Sequence, residues 1–317
     1  MGLAIAIPSE RPAKLSETKY FTQYNLANSS NLKKFEPQYP LYSDEATKRR
    51  WIYLPEGQQI NTQNLDAWIY PQGTILWKEF SIDGLKIETR VLEKFGAGTG
   101  PSAWRASVYL WRSNQLDADL LDPSITDFYS TTSLPNNYMS EKELYSAYEV
   151  RGRYKIAHNA DCMTCHQGSA DVSIGFSYLQ LSSNRAVNIQ TLRDEKRFSH
   201  PPMVYDELPG TLAQKAGLGY VQGNCAHCHM GRVGVPHVFR HTSNNNNYSN
   251  EPLVMDTNNS VGLVVVGAPD SSRLYNRFRG LSTPLGGTSN RMPQLGSAIV
   301  DPVGQALLND WIMRFNE

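Results

Sequence analysis

The chain lacks several features that would each assign it to a common class of protein. Its 317 residues include 30 basic and 30 acidic side chains, so the formal net charge is zero. Nothing in that balance favours a nucleic acid or an anionic membrane surface as a partner. No apolar run approaches the roughly 20 residues that a membrane-spanning helix needs. No Ser/His/Asp or paired-carboxylate arrangement stands out, so no catalytic residues are predicted.

Cysteine is also scarce, and its four copies fall into two identical motifs at residues 162–166 and 225–229. Both read Cys-x-x-Cys-His, the spacing that attaches a c-type haem covalently. Two thiols on one turn reach the two vinyl groups of a porphyrin, and the next imidazole binds the iron. The motifs therefore predict two haem c groups. The attachment residues are Cys162, Cys165, Cys225 and Cys228, and the proximal iron ligands are His166 and His229.

A Cys-x-x-Cys pair can also belong to a zinc site, a redox dithiol or a local disulfide. Zinc ribbons place the second pair roughly 15–20 residues after the first, whereas about 60 residues intervene here. A redox dithiol has no need of a histidine at the following position, and both copies have one. Haem attachment is therefore the favoured interpretation.

The residues ahead of the first motif predict β-structure. Residues 85–91 alternate between apolar and polar side chains, as in a half-buried strand, and residues 104–111 repeat that alternation. Asp83-Gly84 between two such runs predicts a tight hairpin. Short strands at this spacing favour a β-sandwich or a partly open barrel. Core packing is preferred over carbohydrate binding for five tryptophans of this region: Trp51, Trp68, Trp77, Trp104 and Trp111.

The second half of the chain predicts helices. Residues 211–222 carry apolar side chains at helical spacing, and Asp301 followed by Pro302 begins a terminal helix. Gly217 and Gly219 would let another helix or a haem approach closely. The expected fold is an α+β multidomain chain. It comprises an extended N-terminal arm over residues 1–38, a β-sandwich-like domain over residues 39–135 and a mainly α-helical dihaem cytochrome c domain over residues 136–317.

The segment after the second motif resembles class I c-type cytochromes. Residues 267–275 are followed by Met292-Pro293 and then by the terminal helix, the order in which those proteins place their distal loop and closing helix. The resemblance implies that Met292 is the sixth ligand opposite His229. A thioether ligand raises the reduction potential relative to two histidines.

The distal ligand of the first haem is less determined by the sequence. His200 and Met203 lie in a proline-containing loop downstream of the motif, where a distal ligand is usually found. His158 lies four residues before the first cysteine. His200 is the preferred candidate, with Met203 and His158 as alternatives. An open site, a ligand from another molecule, His237 and His241 are further possibilities.

Several stretches resemble one family of bacterial secreted proteins that have a β-rich domain ahead of a haem-binding domain. Residues 41–55 and 71–80 carry the likeness in the first half, and residues 175–182 and 218–225 carry it in the second. The likeness spans roughly residues 40–315 and implies this architecture without implying an activity. The asparagine-rich segment at residues 243–248 departs from the family.

These observations favour electron transfer outside the cytoplasm, because covalent haem attachment takes place there in bacteria. We expect a periplasmic or extracellular protein whose signal peptide has been removed. Redox proteins are the expected partners, and self-association into a larger assembly or filament is a further expectation. The alternatives are a haem enzyme of peroxidase or oxidase type with an open first haem, and a module that docks a cytochrome to a carbohydrate or another protein.

Overall fold

The computed structural model describes residues 11–18, 21–22, 25–26, 31–121, 156, 159–181, 185–202, 208, 210–229, 243–244, 247–248, 263–281, 291–293, 297, 299–315 and 317. Over these residues the chain combines an antiparallel six-stranded sheet with short helices. The predicted α+β class is therefore confirmed.

The strands form three antiparallel sheets in the described residues. A first pair joins β1 (Phe21–Thr22) to β2 (Asn25–Leu26). The main sheet follows chain order through β3 (Leu32–Lys34), β4 (Thr47–Tyr53), β5 (Ile75–Ile82), β6 (Leu85–Lys94), β7 (Trp104–Trp111) and β8 (Ala118–Leu120). A last pair joins β9 (Ser243–Asn244) to β10 (Asn247–Tyr248) in the asparagine-rich segment. In place of the predicted two-layer sandwich, the described residues form one large meander.

The hairpin between β5 and β6 has the predicted position. Asp83 has φ 48° and Gly84 has φ 83°, and two positive φ values in succession are what a two-residue hairpin of type I′ requires. The alternation over residues 85–91 corresponds to β6. The strand is buried on both faces, however, because Glu88 and Thr89 are as well covered as the apolar positions.

One face of the main sheet is covered by the N-terminal arm. Trp77, Tyr109 and Trp111 pack against Leu15, which lies in a single 3₁₀ turn. Ser16 fixes this turn, because its hydroxyl donates to Asp117 over 2.6 Å. Apart from the partly buried Trp51, the tryptophans of the β-rich region are buried. Core packing is thus confirmed as their role.

The other face is covered by residues that follow the first motif. Ile52 and Leu54 share a core with Val172, Phe176 and Leu181. A sheet buries each apolar face against another layer, and here that layer is made of loops and short helices. This is the physical reason why no second sheet is needed to cover the described strands.

The helices of the described residues are α1 (Asn159–His166), α2 (Ile189–Asp194), α3 (Leu212–Asn224), α4 (Arg273–Arg279) and α5 (Pro302–Met313). Helices α3 and α5 match the predicted segments, with Thr211 and Asp301 as N-caps. They pack closely, since a Cβ added to Gly217 would lie 2.4 Å from the Trp311 Cβ. The expected close approach at Gly217 is confirmed. Within the described ranges, no helix has the length and apolar character needed to cross a bilayer.

Candidate functional site

The first Cys-x-x-Cys-His motif forms the end of α1, whose last residue is His166. The His166 Nδ1 lies 2.5 Å from the carbonyl oxygen of Val172. A carbonyl oxygen only accepts, so Nδ1 carries the proton and Nε2 keeps the lone pair that binds metals. Burial lowers the pKa of His166 to about 4, so the imidazole is neutral at physiological pH. His166 is therefore oriented and protonated as a metal ligand should be.

The carbonyl that orients His166 is itself fixed to the sheet. Val172 has φ 45°, a strained conformation for a β-branched residue that persists only where its surroundings hold it. The preceding residue, Asp171, accepts hydrogen bonds from the Trp104 indole over 2.5 Å and the Tyr70 backbone N–H over 2.7 Å. It also forms an ion pair with Lys94 of β6. This buried network links the position of the first motif to the β-rich half.

The second motif begins where α3 ends. Cys225 is the C-cap of that helix and donates its backbone N–H to Val221 over 2.8 Å. His229 donates its backbone N–H to the Cys225 carbonyl over 3.0 Å, which closes the motif into a tight turn. The neighbouring Asn224 side chain accepts the Tyr42 backbone N–H over 2.7 Å. The second motif is thus also anchored to the first half of the chain.

The structure brings the two motifs together. The sulfurs of Cys165 and Cys228 and a ring nitrogen of His227 all lie within 4.8 Å of one another. Hydrogen bonding to Cys228, followed by burial, raises the pKa of the Cys165 thiol, and burial raises that of Cys225 to about 12. A redox dithiol depends on a thiol with a lowered pKa. Neither of these two thiols has the lowered pKa of a redox dithiol.

His227 is a candidate site residue that the sequence analysis missed. It is only 7% exposed, and its Nδ1 is buried without a hydrogen-bond partner. Burying an unpaired imidazole nitrogen is costly unless a ligand completes its bonding. The residue lies between the two cysteines of the second motif, at a position where the haem-attachment pattern accepts any residue. The motif alone therefore gave no signal for it.

A cleft opens between α1 and the main sheet. Its empty space, about 1340 Å³, includes the solvent at its open mouth. Cys162, Cys165 and His166 line it together on the side of α1. The first motif thus faces this cleft. The sheet contributes Arg50, Leu76, Lys78, Arg90 and Leu92 to the lining, and His227 contributes from the second motif.

The candidates for the first distal ligand fall in different places. His200 is exposed in the loop after α2, with its Nδ1 2.9 Å from the Ser199 hydroxyl. It is not among the described residues that line the cleft. Met203 and His158 lie outside the described residues, as do His237 and His241. Ligation by His200, Met203 or His158 stays a prediction.

Met292 lies on the connection between α4 and α5, with its side chain partly buried. Its backbone N–H donates to the Arg277 carbonyl of α4 over 3.0 Å. The adjacent Arg291 guanidinium donates to the Ile299 carbonyl over 3.2 Å, just ahead of α5. The predicted order of motif, loop and terminal helix is present, and the loop is held to α4 and to the segment just ahead of α5. Ligation of an iron by Met292 stays a prediction.

Comparison of the chain with protein-family models, curated proteins and solved structures finds no match. The resemblances drawn from the sequence therefore stay predictions.

Proposed function

We propose that this protein transfers electrons outside the cytoplasm through two covalently attached c-type haems. The observation that supports it most directly is the adjacency of the two motifs. About 60 residues separate them in the sequence, yet the sulfurs of Cys165 and Cys228 lie within 4.8 Å of each other. Groups attached at these sulfurs would be neighbours, so an electron would cross a short gap within the protein.

Within this proposal the haems supply one-electron redox chemistry when bound, and the chain holds and tunes them. His166 and His229 would bind the irons of the first and second haems, and Met292 would be the further ligand at the second site. At the first site the predicted distal ligand is His200, with Met203 or His158 as alternatives, although His200 is not among the described residues that line the cleft. The four cysteines of the two motifs form the thioether bonds.

The first site fits this role through its own residues. The Val172 carbonyl accepts a hydrogen bond from the Nδ1–H of His166, so Nε2 keeps its lone pair for the iron. Leu76 and Leu92 of the sheet supply an apolar wall opposite the motif. Such a wall excludes water and lowers the local polarity, which is one way in which a protein sets a haem potential.

The proposal assigns residues 136–317 to a dihaem cytochrome domain and residues 39–135 to the β-rich part that packs on it. A redox protein is the expected partner, and the location is the periplasm or the cell exterior. Self-association into a larger assembly or filament is an extension of the same proposal. Sedimentation at high concentration tests that extension, and a strictly monomeric protein would count against it.

A bound metal ion is the second candidate function, and one observation favours it. Cys165, His227 and Cys228 present two sulfurs and a nitrogen within 4.8 Å, a donor set that suits zinc. The same two sulfurs cannot serve zinc as thiolates and haem as thioethers. The two candidates therefore exclude each other at this point of the structure.

The deciding experiment is production of the full chain in a bacterial host with a complete cytochrome c maturation system. We expect two covalent haems per chain by pyridine haemochrome assay and by mass, and no stoichiometric zinc by elemental analysis. A variant with Cys162→Ser and Cys165→Ser should retain one haem, and so should its matched counterpart with Cys225→Ser and Cys228→Ser. Stoichiometric zinc in a chain without covalent haem would refute the proposal in favour of the second candidate.

Carbon monoxide separates an electron carrier from a haem enzyme. If both irons have two protein ligands, the reduced protein does not bind carbon monoxide and has no peroxidase turnover. Rapid binding at one haem would instead support the peroxidase or oxidase alternative, because that chemistry needs an open iron position.

A further inference from the structure

Three cations lie in one row on the face of the sheet that lines the cleft. Arg50 of β4 is directly opposite Lys78 of β5, which is directly opposite Arg90 of β6. Side chains at directly opposed positions have Cβ atoms about 4.5–5.5 Å apart, and like charges there destabilise a sheet. Three like charges in one row are therefore unfavourable unless something balances them.

The carboxylates nearby do not neutralise the row. Arg90 has an ion pair with Glu88, at 2.5 Å between its Nη2 and the Glu88 Oε1. Arg50 is 8% exposed, and neither it nor Lys78 has an ion-pair partner among the residues that the structure describes. Lys78 lies with its Nζ 4.9 Å from the centre of the Phe80 ring. Two cations thus face the cleft without an ion-pair partner in the described part of the chain.

Burying a cation without a partner is unfavourable, and burial lowers the pKa values of both groups. Burial lowers the pKa of Arg50 to about 10. Burial, together with Arg50, Lys48 and Arg90, also holds the pKa of Lys78 well below its ordinary value. An anion supplied from outside the chain would relieve the cost at both residues.

The neighbouring row of side chains on the same face of the sheet is apolar. This row consists of Ile52, Leu76 and Leu92, each two residues from a cation on its own strand. Ile52 is opposite Leu76, which is opposite Leu92. Leu76 and Leu92 line the cleft with Arg50 and Lys78. The wall therefore matches a molecule with a broad apolar body and acidic groups at one edge.

We infer that Arg50 and Lys78 bind the carboxylate groups of the ligand in this cleft. The inference rests on the proposed function, under which those carboxylates are the propionates of the first haem. The apolar ring would lie towards Leu76 and Leu92, on the side of the sheet that faces His166. The β-rich half would thus form a wall of the first haem site and act most strongly on the electrostatics of that haem.

The test uses the full-length holoprotein and three variants: Arg50→Gln, Lys78→Gln and the two combined. Lys34→Gln is the matched control, because Lys34 is an exposed cation on β3 of the same sheet. Haem content is counted first by pyridine haemochrome assay. The midpoint potentials of both haems are then measured by spectroelectrochemical titration.

We expect every variant to keep two haems. One midpoint potential should fall in Arg50→Gln and in Lys78→Gln and fall further in the combined variant, because a nearby positive charge favours the reduced iron. The other midpoint potential should move less, and both potentials of Lys34→Gln should not move. Arg50→Lys keeps the positive charge, so its midpoint potential should stay close to that of the unmodified protein. If Arg50→Gln folds poorly, this variant distinguishes the effect of the charge from the effect of packing.

The three possible failures are distinguishable. Unchanged potentials in a combined variant that carries two haems would overturn the role of Arg50 and Lys78 and leave the proposed function standing. A fall of both potentials by equal amounts would overturn the assignment to the first haem. Absence of covalent haem from the unmodified protein would overturn the proposed function and this assignment with it.

Discussion

The ion pair between Asp171 and Lys94 gives the sharpest prediction about stability. Both side chains are at most 1% exposed, and Asp171 also accepts N–H groups from Trp104 and Tyr70. Asp171→Asn removes the charge and leaves the Lys94 ammonium buried without an anion. The amide has a single acceptor oxygen, so one of the N–H donors also loses its partner.

Removing one partner of a buried pair typically costs about 3–5 kcal/mol. Folded domains are stable by only about 5–15 kcal/mol in total, so the loss should be a large part of the whole. With a urea dependence near 3 kcal/mol per molar, the unfolding midpoint should fall by on the order of 1 M. Combining Asp171→Asn with Lys94→Met removes both charges. The double variant should therefore lose less than the sum of the single losses, by roughly 1–3 kcal/mol.

Urea unfolding followed by circular dichroism measures these quantities on the purified protein. Asp310→Asn is the control, since the Asp310–Arg314 pair is exposed on both sides and should be worth at most about 1 kcal/mol. A loss below about 1 kcal/mol for Asp171→Asn, or strict additivity with Lys94→Met, would show that the pair does not hold the first motif to the sheet.

Two further predictions concern packing and pH. Gly217→Ala places a Cβ 2.4 Å from the Trp311 Cβ. The cost of this overpacking, about 1–3 kcal/mol, should exceed the gain in helix propensity of about 1 kcal/mol, so the free energy of unfolding should fall. Gly98→Ala, which has open space around it, is the neutral control in the same urea assay. Burial, with Arg50 and Arg90 nearby, lowers the pKa of Lys48 to about 7, below its unfolded value of about 10.4. The unfolded chain therefore binds more protons between about pH 7 and pH 10, so stability should rise with pH across that window. Lys48→Met should flatten the rise, and a variant that keeps the slope of the unmodified protein would contradict the assignment to Lys48.

The features that the sequence predicted correctly are local in origin. The Asp83-Gly84 turn needs two residues that accept positive φ, and such residues are recognisable one by one. The start of α5 follows from Asp301, whose side chain accepts the Val303 backbone N–H over 2.9 Å. Helix α3 follows from the spacing of its apolar residues and from its N-cap, Thr211.

The features that the sequence did not predict depend on contacts between distant parts of the chain. Arg90 stands at a polar position of an alternating strand, and that pattern is identical whether the polar face meets water or a cleft. Only the register of three strands reveals that Arg50, Lys78 and Arg90 share one row. The same holds for Leu15, whose burial depends on a sheet that begins later in the chain.

His227 illustrates the same limit within the candidate site. Its neighbours in the sequence define one motif, while its significance comes from Cys165 in the other. The two motifs meet because each is anchored separately to the first half of the chain, through Asp171 and through Asn224. No pattern of spacing between residues 166 and 225 contains that information.

The core shared across the expected domain boundary constrains how this protein can change. Residues between 35 and 104 and residues between 172 and 198 contribute to one continuous apolar cluster. A recombination event that exchanged the β-rich segment alone would leave Val172 and Phe176 facing a surface shaped for other side chains. The two halves should therefore be inherited as a matched pair, and substitutions at Ile52 or Leu54 should be compensated by substitutions beyond the first motif.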